Sequence, residues 1–495
     1  NFLAVSSFYS IMVGDWDNAR QAIEQYFALS DKSGIRVYDF NVHGWASYMG
    51  VLTGDNRLSK KHLDGMERLL SPGAVWDSGQ YHYTLALAAL LTRDCSQCRF
   101  HLDECKKIAD YAGTPNPMGL SRVLEATFFT MQDDFKGAIE AIDSISTINV
   151  SQHTGHVFFL KELVLADCAL AQNREAEMIA HLHAALSDAT RNGIMMPLGL
   201  SRERLAVLLS EAIRANVETD MATEMIHRFQ LAPSPENIFG EAWPWPIKLV
   251  TLGRFDIFLD NERLAISGKT PKKPLELLML LVCKNGRSIN RETLMDQLWP
   301  EADGDRAVQN INTTLHRLRK LLGRDDSIIL EHGRLSLNPE LCWVDAWYFE
   351  AMIDKAESVQ KLEKRIDLLA RAIDLYAGPF SGNHDGIESG TWYAQRLKSV
   401  WVDAVLSLGR HYVKMDRIDR SKRLFQRSLA TDDTVEPLYL ELMALLYGQG
   451  RSAEAKLVFN RCQSALSKRG LMPAEATLAL FDKLQAERSK FKLKK

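Results

Sequence analysis

Long apolar runs are missing from this sequence: no stretch of the 495 residues reaches the roughly 20 apolar side chains that a membrane span needs. The opening residues, Asn1-Phe2-Leu3-Ala4-Val5, have neither an initiating Met nor a basic secretory leader, and they start in mid-pattern, as a fragment or processed product would. The expectation is a cytoplasmic chain that makes no membrane contact. Cysteine is scarce and odd in number, seven in all at positions 95, 98, 105, 168, 283, 342 and 462 with no disulfide-framework spacing, which suits a reducing compartment. With only 15 prolines, 46% hydrophobic and 25% charged residues, nothing suggests long disorder. A basic excess is absent too: 60 Lys and Arg stand against 63 Asp and Glu, so any contact with nucleic acid must come from a local patch.

What is present first is repetition. Asp15, Asp55, Asp94, Asp134 and Asn173 recur at a near-constant interval of about 40 residues. Four positions beyond the first four come small side chains (Ala19, Ser59, Cys98, Ala138), and eight beyond come aliphatic ones (Ile23, Leu63, Leu102, Ile142). That is one helical face, with a polar residue placed to cap each helix. Such a period belongs to helix pairs that stack into a solenoid, so residues 1–232 are expected to form a helical-repeat superhelix. The array resembles the tetratricopeptide-like arrays of large bacterial activators of the maltose-regulon type, which implies a module for an unknown ligand or protein partner. Cys95-x-x-Cys98, His101 and Cys105 invite a zinc reading, but they share one expected helix and no second ligand pair follows, so no metal is assigned.

Four prolines within residues 233–246 mark a linker, after which the periodicity alternates: Ile247 and Leu249, then Phe255, Ile257 and Leu259, with a tight turn at Asp260-Asn261 and a return strand through Leu264 and Ile266. Pro274 opens a buried helix that runs to Asn285-Gly286. Asn290 caps a second helix, with Ile289 and Leu294 as its staple, ending at Trp299-Pro300. The third helix carries the information. Val308, Ile311, Leu315, Leu318 and Leu322 form its expected core stripe, while Arg306, Gln309, Thr313, His316, Arg317 and Lys320 cluster opposite. Residues 306–324 hold five basic side chains and no acidic one. Gly323 ends the helix, and residues 328–331 and 334–337 pair across His332-Gly333 as a hairpin.

Strands, three helices and a terminal hairpin in this order resemble the winged helix-turn-helix of OmpR/PhoB-type regulators. Leu252-Gly253-Arg254-Phe255, Leu294-Met295-Asp296-Gln297-Leu298-Trp299-Pro300 and residues 315–323 (LHRLRKLLG) are similar to the Streptomyces antibiotic regulatory protein (SARP) family. So are Val344-Asp345-Ala346-Trp347-Tyr348-Phe349-Glu350, Tyr376-Ala377-Gly378-Pro379-Phe380 and residues 450–455 (GRSAEA), which resemble the helical bacterial transcriptional activation domain of that family. Here a repeat array precedes the DNA-binding domain, whereas many members begin with it. The order expected is therefore 1–232 array, 233–246 linker, 247–343 winged helix-turn-helix and 344–495 activation domain, a mainly α chain with one α+β centre. Arg417, Phe425 and Arg427 recur as Arg451, Phe459 and Arg461 at the tetratricopeptide period of about 34 residues.

The resemblance implies a sequence-specific regulator of double-stranded promoter DNA, an activator, with base and phosphate contacts from Gln309, Asn310, Thr313, Thr314 and Arg317. Arg317 is the candidate guanine reader. Lys320 falls on the same face, Arg334 would enter the minor groove from the hairpin, and Lys269, Lys272 and Lys273 would touch phosphates. The activation domain would mediate homodimerisation or contact RNA polymerase. No cofactor and no enzyme are implied. Ser267-Gly268-Lys269-Thr270 ends like a phosphate-binding loop, but position 263 is Arg where that loop needs Gly. The competing expectation is an interaction scaffold within a larger signalling NTPase, whose nucleotide domain would lie ahead of residue 1.

Overall fold

The computed structural model describes residues 2–71, 73–148, 155–193, 195–233, 242–265, 272–380 and 388–492. They divide into two compact units, Asn1–Trp243 and Pro244–Lys495.

The first unit is built of helix pairs: α1 (Phe2–Met12) with α2 (Trp16–Ser33), α3 (Asp39–Thr53) with α4 (Asn56–Leu69), and α5 (Val75–Leu91) with α6 (Cys95–Ala112). There follow α7 (Pro115–Met131) with α8 (Phe135–Asp143), α9 (His156–Ala171) with α10 (Glu175–Asn192), and α11 (Arg202–Arg214) with α12 (Thr219–Arg228). The four repeated aspartates cap the second helix of their pairs: Asp15, Asp55, Asp94 and Asp134 accept the backbone N–H of Asn18, Leu58, Gln97 and Gly137 at 2.9–3.3 Å. Each satisfies an orphan donor of the helix start. Asn173 departs from this pattern. It adopts a left-handed φ of 56°, and Arg174 is the cap, without a side-chain bond. Asn173 is the counterpart of Gly14, Gly54, Arg93 and Asp133, the left-handed residues one place before each aspartate. Ala19, Ser59, Cys98 and Ala138 are buried in the seams with Ile23, Leu102 and Ile142, while Leu63 is half-buried.

The sixth pair turns back on the first. Arg228 Nη1 donates to Val13 O (2.9 Å), Trp16 Nε1 donates to Arg228 O (3.0 Å), and the Phe229 ring lies 5.9 Å from that of Trp16. Arg202 Nη1 reaches Leu52 O of the second pair. Bonds between segments far apart in sequence therefore join the last pair of the array to its first two.

In the second unit β1 (Ile247–Val250), β2 (Asp256–Leu259) and β3 (Glu262–Arg263) make an antiparallel meander. Asp260 and Asn261 both take positive φ, the turn that suits a right-twisted hairpin. The return strand is shorter than expected: Leu264 adds one bond to Ile257 O, and Ile266 lies outside the described residues. Then come α13 (Lys272–Val282), β4 (Ile289–Asn290), α14 (Arg291–Leu298) and α15 (Gly304–Leu322), followed by β5 (Ile328–Glu331), β6 (Arg334–Leu337) and β7 (Cys342–Val344). β6 is central in the order β4-β6-β5, and β7 lies parallel to β1 in the order β3-β2-β1-β7. Helices α16 (Asp345–Ser358), α17 (Leu362–Leu375), α18 (Glu388–Lys414), α19 (Ile418–Thr431), α20 (Glu436–Gly448), α21 (Ser452–Ser467) and α22 (Glu475–Lys492) complete the unit. The Arg/Phe/Arg recurrence marks equivalent positions: Arg417 and Arg451 cap α19 and α21, and Phe425 and Phe459 are buried.

The winged-helix part is joined tightly to the helices that follow. The buried Asp345 carboxylate accepts the Thr251 and Leu252 N–H groups (2.7 and 2.8 Å), the Thr251 hydroxyl and the Ala346 N–H. Trp347 Nε1 donates to Val282 O at the end of α13 (2.7 Å). Leu252 forms a bridge with Phe380, and Gly253 (φ +85°) packs so closely on Ala377 and Gly378 that an added Cβ would sit 2.9 Å from backbone carbon.

Candidate nucleic-acid interface

Helix α15 begins at the cap Asp303, which accepts the Arg306 N–H, and ends at Gly323 with φ +71°. Its buried face is Ala307, Ile311, Thr314, Leu315, Leu318 and Leu322. Two expectations are corrected here. Val308 is 42% exposed, and the smaller Ala307 takes the core position; Thr314, expected at the DNA, is only 6% exposed and faces inward. Position 314 precedes Leu315 and shares its side of the helix, so its hydroxyl is withdrawn from solvent.

On the opposite face Gln309, Thr313, His316, Arg317 and Lys320 are exposed, and Asn310 is half-buried. The helical repeat aligns the exposed five along one stripe. The Thr313 hydroxyl donates to Gln309 O (2.9 Å), leaving its lone pairs and methyl outward. Arg306 is exposed beside Asp303. Arg319 plays a different part, since its Nη2 donates to Ile328 O (2.8 Å) and fastens α15 to β5.

The supporting cations divide the same way. Lys272 is exposed. Lys273 is committed to the scaffold, its Nζ donating to Glu276 (2.7 Å) and to Leu298 O (2.9 Å) beside the Trp299 ring, so its charge is already partnered. Lys269 lies outside the described residues. The hairpin tip is His332-Gly333, both at positive φ. Arg334 stands next to it, but its guanidinium donates back to Ser288 Oγ (2.9 Å) and Ser288 O (2.7 Å), so it leans on the strand before α14. Two polar residues that the sequence did not single out complete the surface: Arg291 Nη2 donates to Asn312 Oδ1 (2.6 Å), tying the start of α14 to the exposed side of α15. Asn312 flanks Gln309 on the edge of the polar arc away from Thr313, which was the available signal.

In the cysteine group on α6, burial pushes the Cys98 and Cys105 thiols up to about 12, and Cys95 is exposed.

Comparison with known proteins bears on this unit. Residues 268–334 match the family of transcriptional regulatory protein C-terminal domains, and residues 344–485 match the bacterial transcriptional activator domain. The chain is similar to the regulatory protein AfsR of Streptomyces coelicolor, 28% identical over 225 residues, covering 43% of this chain and 21% of that protein. It is similar to AfsR of Streptomyces griseus at 25% over 224 residues, covering 43% and 22%. The chain thus spans about a fifth of the length of these curated relatives. Among solved structures, Mycobacterium tuberculosis EmbR in complex with a low-affinity phosphopeptide aligns with TM-score 0.38 and 19% identity, over 49% of this chain and 65% of that one. The P58(IPK) TPR domain aligns with TM-score 0.20 and 10% identity, over 98% and 96%. A match to transcriptional regulatory C-terminal domains is thus followed directly by a match to the bacterial transcriptional activator domain, and in this order the chain is similar to SARP-type transcriptional regulators.

Proposed function

We propose that the chain is a sequence-specific activator that lays α15 in the major groove of promoter DNA and takes its input from the repeat array. The observation that carries this is the exposed stripe of α15. Amide, hydroxyl, imidazole, guanidinium and ammonium groups project from one face with no carboxylate between residues 306 and 324, while the other face is packed into the core. A major groove about 12 Å wide accepts one helix, and Gln and Arg have the paired donors and acceptors that read adenine and guanine edges. Arg317 is the base reader, Gln309 and Asn310 assist, Thr313 offers its methyl, and Lys320 and Lys272 meet phosphates. Arg334 would have to leave Ser288 to enter the minor groove, and Lys273 acts by holding α13 to α14.

The bonds from Asp345, Trp347 and Phe380 make the activation domain a fixed extension of the winged helix. A helix seated on DNA thereby presents α16–α21 at a set orientation toward RNA polymerase or a second copy of the chain. The test is fluorescence anisotropy with a duplex from the promoter of its own gene across a salt series. The logarithm of affinity should fall linearly with the logarithm of salt at about 0.9 per neutralised phosphate. A salt-independent affinity would reject the interface.

A further inference from the structure

Two imidazole pairs occupy the same slot of successive repeats. His43 on α3 faces His62 on α4 with Nδ1 atoms 2.8 Å apart, and one repeat further on His82 on α5 faces His101 on α6 at 2.9 Å. In the fifth pair of helices the slot holds a carboxylate and an imidazole, with Glu162 Oε2 and His181 Nδ1 2.6 Å apart. The surroundings of the two imidazole pairs differ. Phe27 lies tilted against the first, its ring 4.4 Å from His43 and 5.6 Å from His62, and His62 is buried. The second pair is half-exposed, met edge-on by Phe100, and the Glu104 carboxylate, one helical turn beyond His101, acts electrostatically on both rings.

The 2.9 Å separation is that of an imidazole–imidazole hydrogen bond, as in the first pair, and it also suits a shared metal ion. A metal ion about 2.0–2.1 Å from each of two nitrogens that far apart subtends an angle of about 90°, the geometry of tetragonal Cu²⁺ or Ni²⁺, whereas a tetrahedral ion would spread them to about 3.3 Å. Burial holds both imidazoles below their ordinary protonation range, so protons do not compete for them at neutral pH. The neutral rings need only carry their remaining protons on Nε2 to free both Nδ1 lone pairs. We propose that His82 and His101 form a chelating site for a tetragonal divalent ion, Cu²⁺ foremost, between α5 and α6. Glu104, already paired with Lys107 at 2.7 Å, lies one helical turn away and does not ligate the ion, and water fills the remaining positions. The Phe27-covered pair, His43 and His62, stays a hydrogen-bonded pair.

The test uses the full chain carrying Cys95→Ser, which removes the exposed thiol that Cu²⁺ would oxidise. Titration with Cu²⁺ at neutral pH, followed by electron paramagnetic resonance, should show a tight phase of one equivalent with hyperfine coupling to two imidazole nitrogens. His82→Gln and His101→Gln should each lose that phase, while His43→Gln keeps it and all three keep the wild-type circular dichroism. A parent spectrum without two coupled nitrogens, or a tight phase that survives His101→Gln, would overturn the site whatever the variants' folding.

Discussion

Arg317 and Lys320 sit one helical turn apart on the exposed stripe, yet the interface asks different things of them. A guanidinium can hold guanine O6 and N7 at once, whereas an ammonium is a point charge suited to phosphate. Arg317→Ala is therefore expected to cost about 1–3 kcal/mol of operator affinity and to relax selection at one base pair, read by anisotropy against single-base operator variants. Lys320→Ala should weaken every duplex alike and reduce the salt slope by about 1. Thr314→Val, on the buried face, should leave DNA affinity unchanged. The basic character of α15 was legible from sequence because residues 306–324 hold five basic side chains and no acidic one; that Arg319 turns aside to β5 was not. Which of Ala307 and Val308 faced inward was not, since hydrophobicity favours valine and only packing shows that alanine fits. Nor could sequence show that Lys273 and Arg334 spend their donors on Leu298 O and on Ser288.

At the scale of elements, the repeat was readable because aspartate caps recur at a fixed interval, and it failed at Asn173, where asparagine serves its left-handed preference one position earlier. Asp94→Ala should lower stability by about 1 kcal/mol, measured by chemical denaturation, for loss of the bond to Gln97 N–H. Strand β7 was not legible, since Cys342-Trp343-Val344 is too short to show alternation and its partner β1 lies at the far end of the winged-helix segment. The junction it creates gives a sharper expectation. Gly253→Ala combines a left-handed backbone with a 2.9 Å approach to the Ala377 carbonyl carbon, and should destabilise the unit by more than the roughly 1–2 kcal/mol of the backbone conformation alone. An unchanged denaturation midpoint would show that the two segments are not in firm contact.

At the scale of the whole molecule, buried histidines set an acid limit. Burial lowers His62 and His156 to about 4, against 6.5 when exposed. The unfolded chain then binds the protons that the folded chain refuses, so stability is complete above about pH 6.5 and falls as pH drops toward 4. Thermal melts should show this decline, and His156→Gln should decline less over the same interval. Sequence-specific DNA binding is the larger expectation at this scale. Its most direct measurement is competition binding of an operator selected from genomic fragments against a scrambled duplex at fixed salt, for the native chain and for Gln309→Ala/Arg317→Ala. The expected result is a preference of about 10³ or more for the native chain, largely lost in the double variant while binding to scrambled DNA persists; a double variant that keeps the full preference would contradict the assignment of α15 as the reading helix.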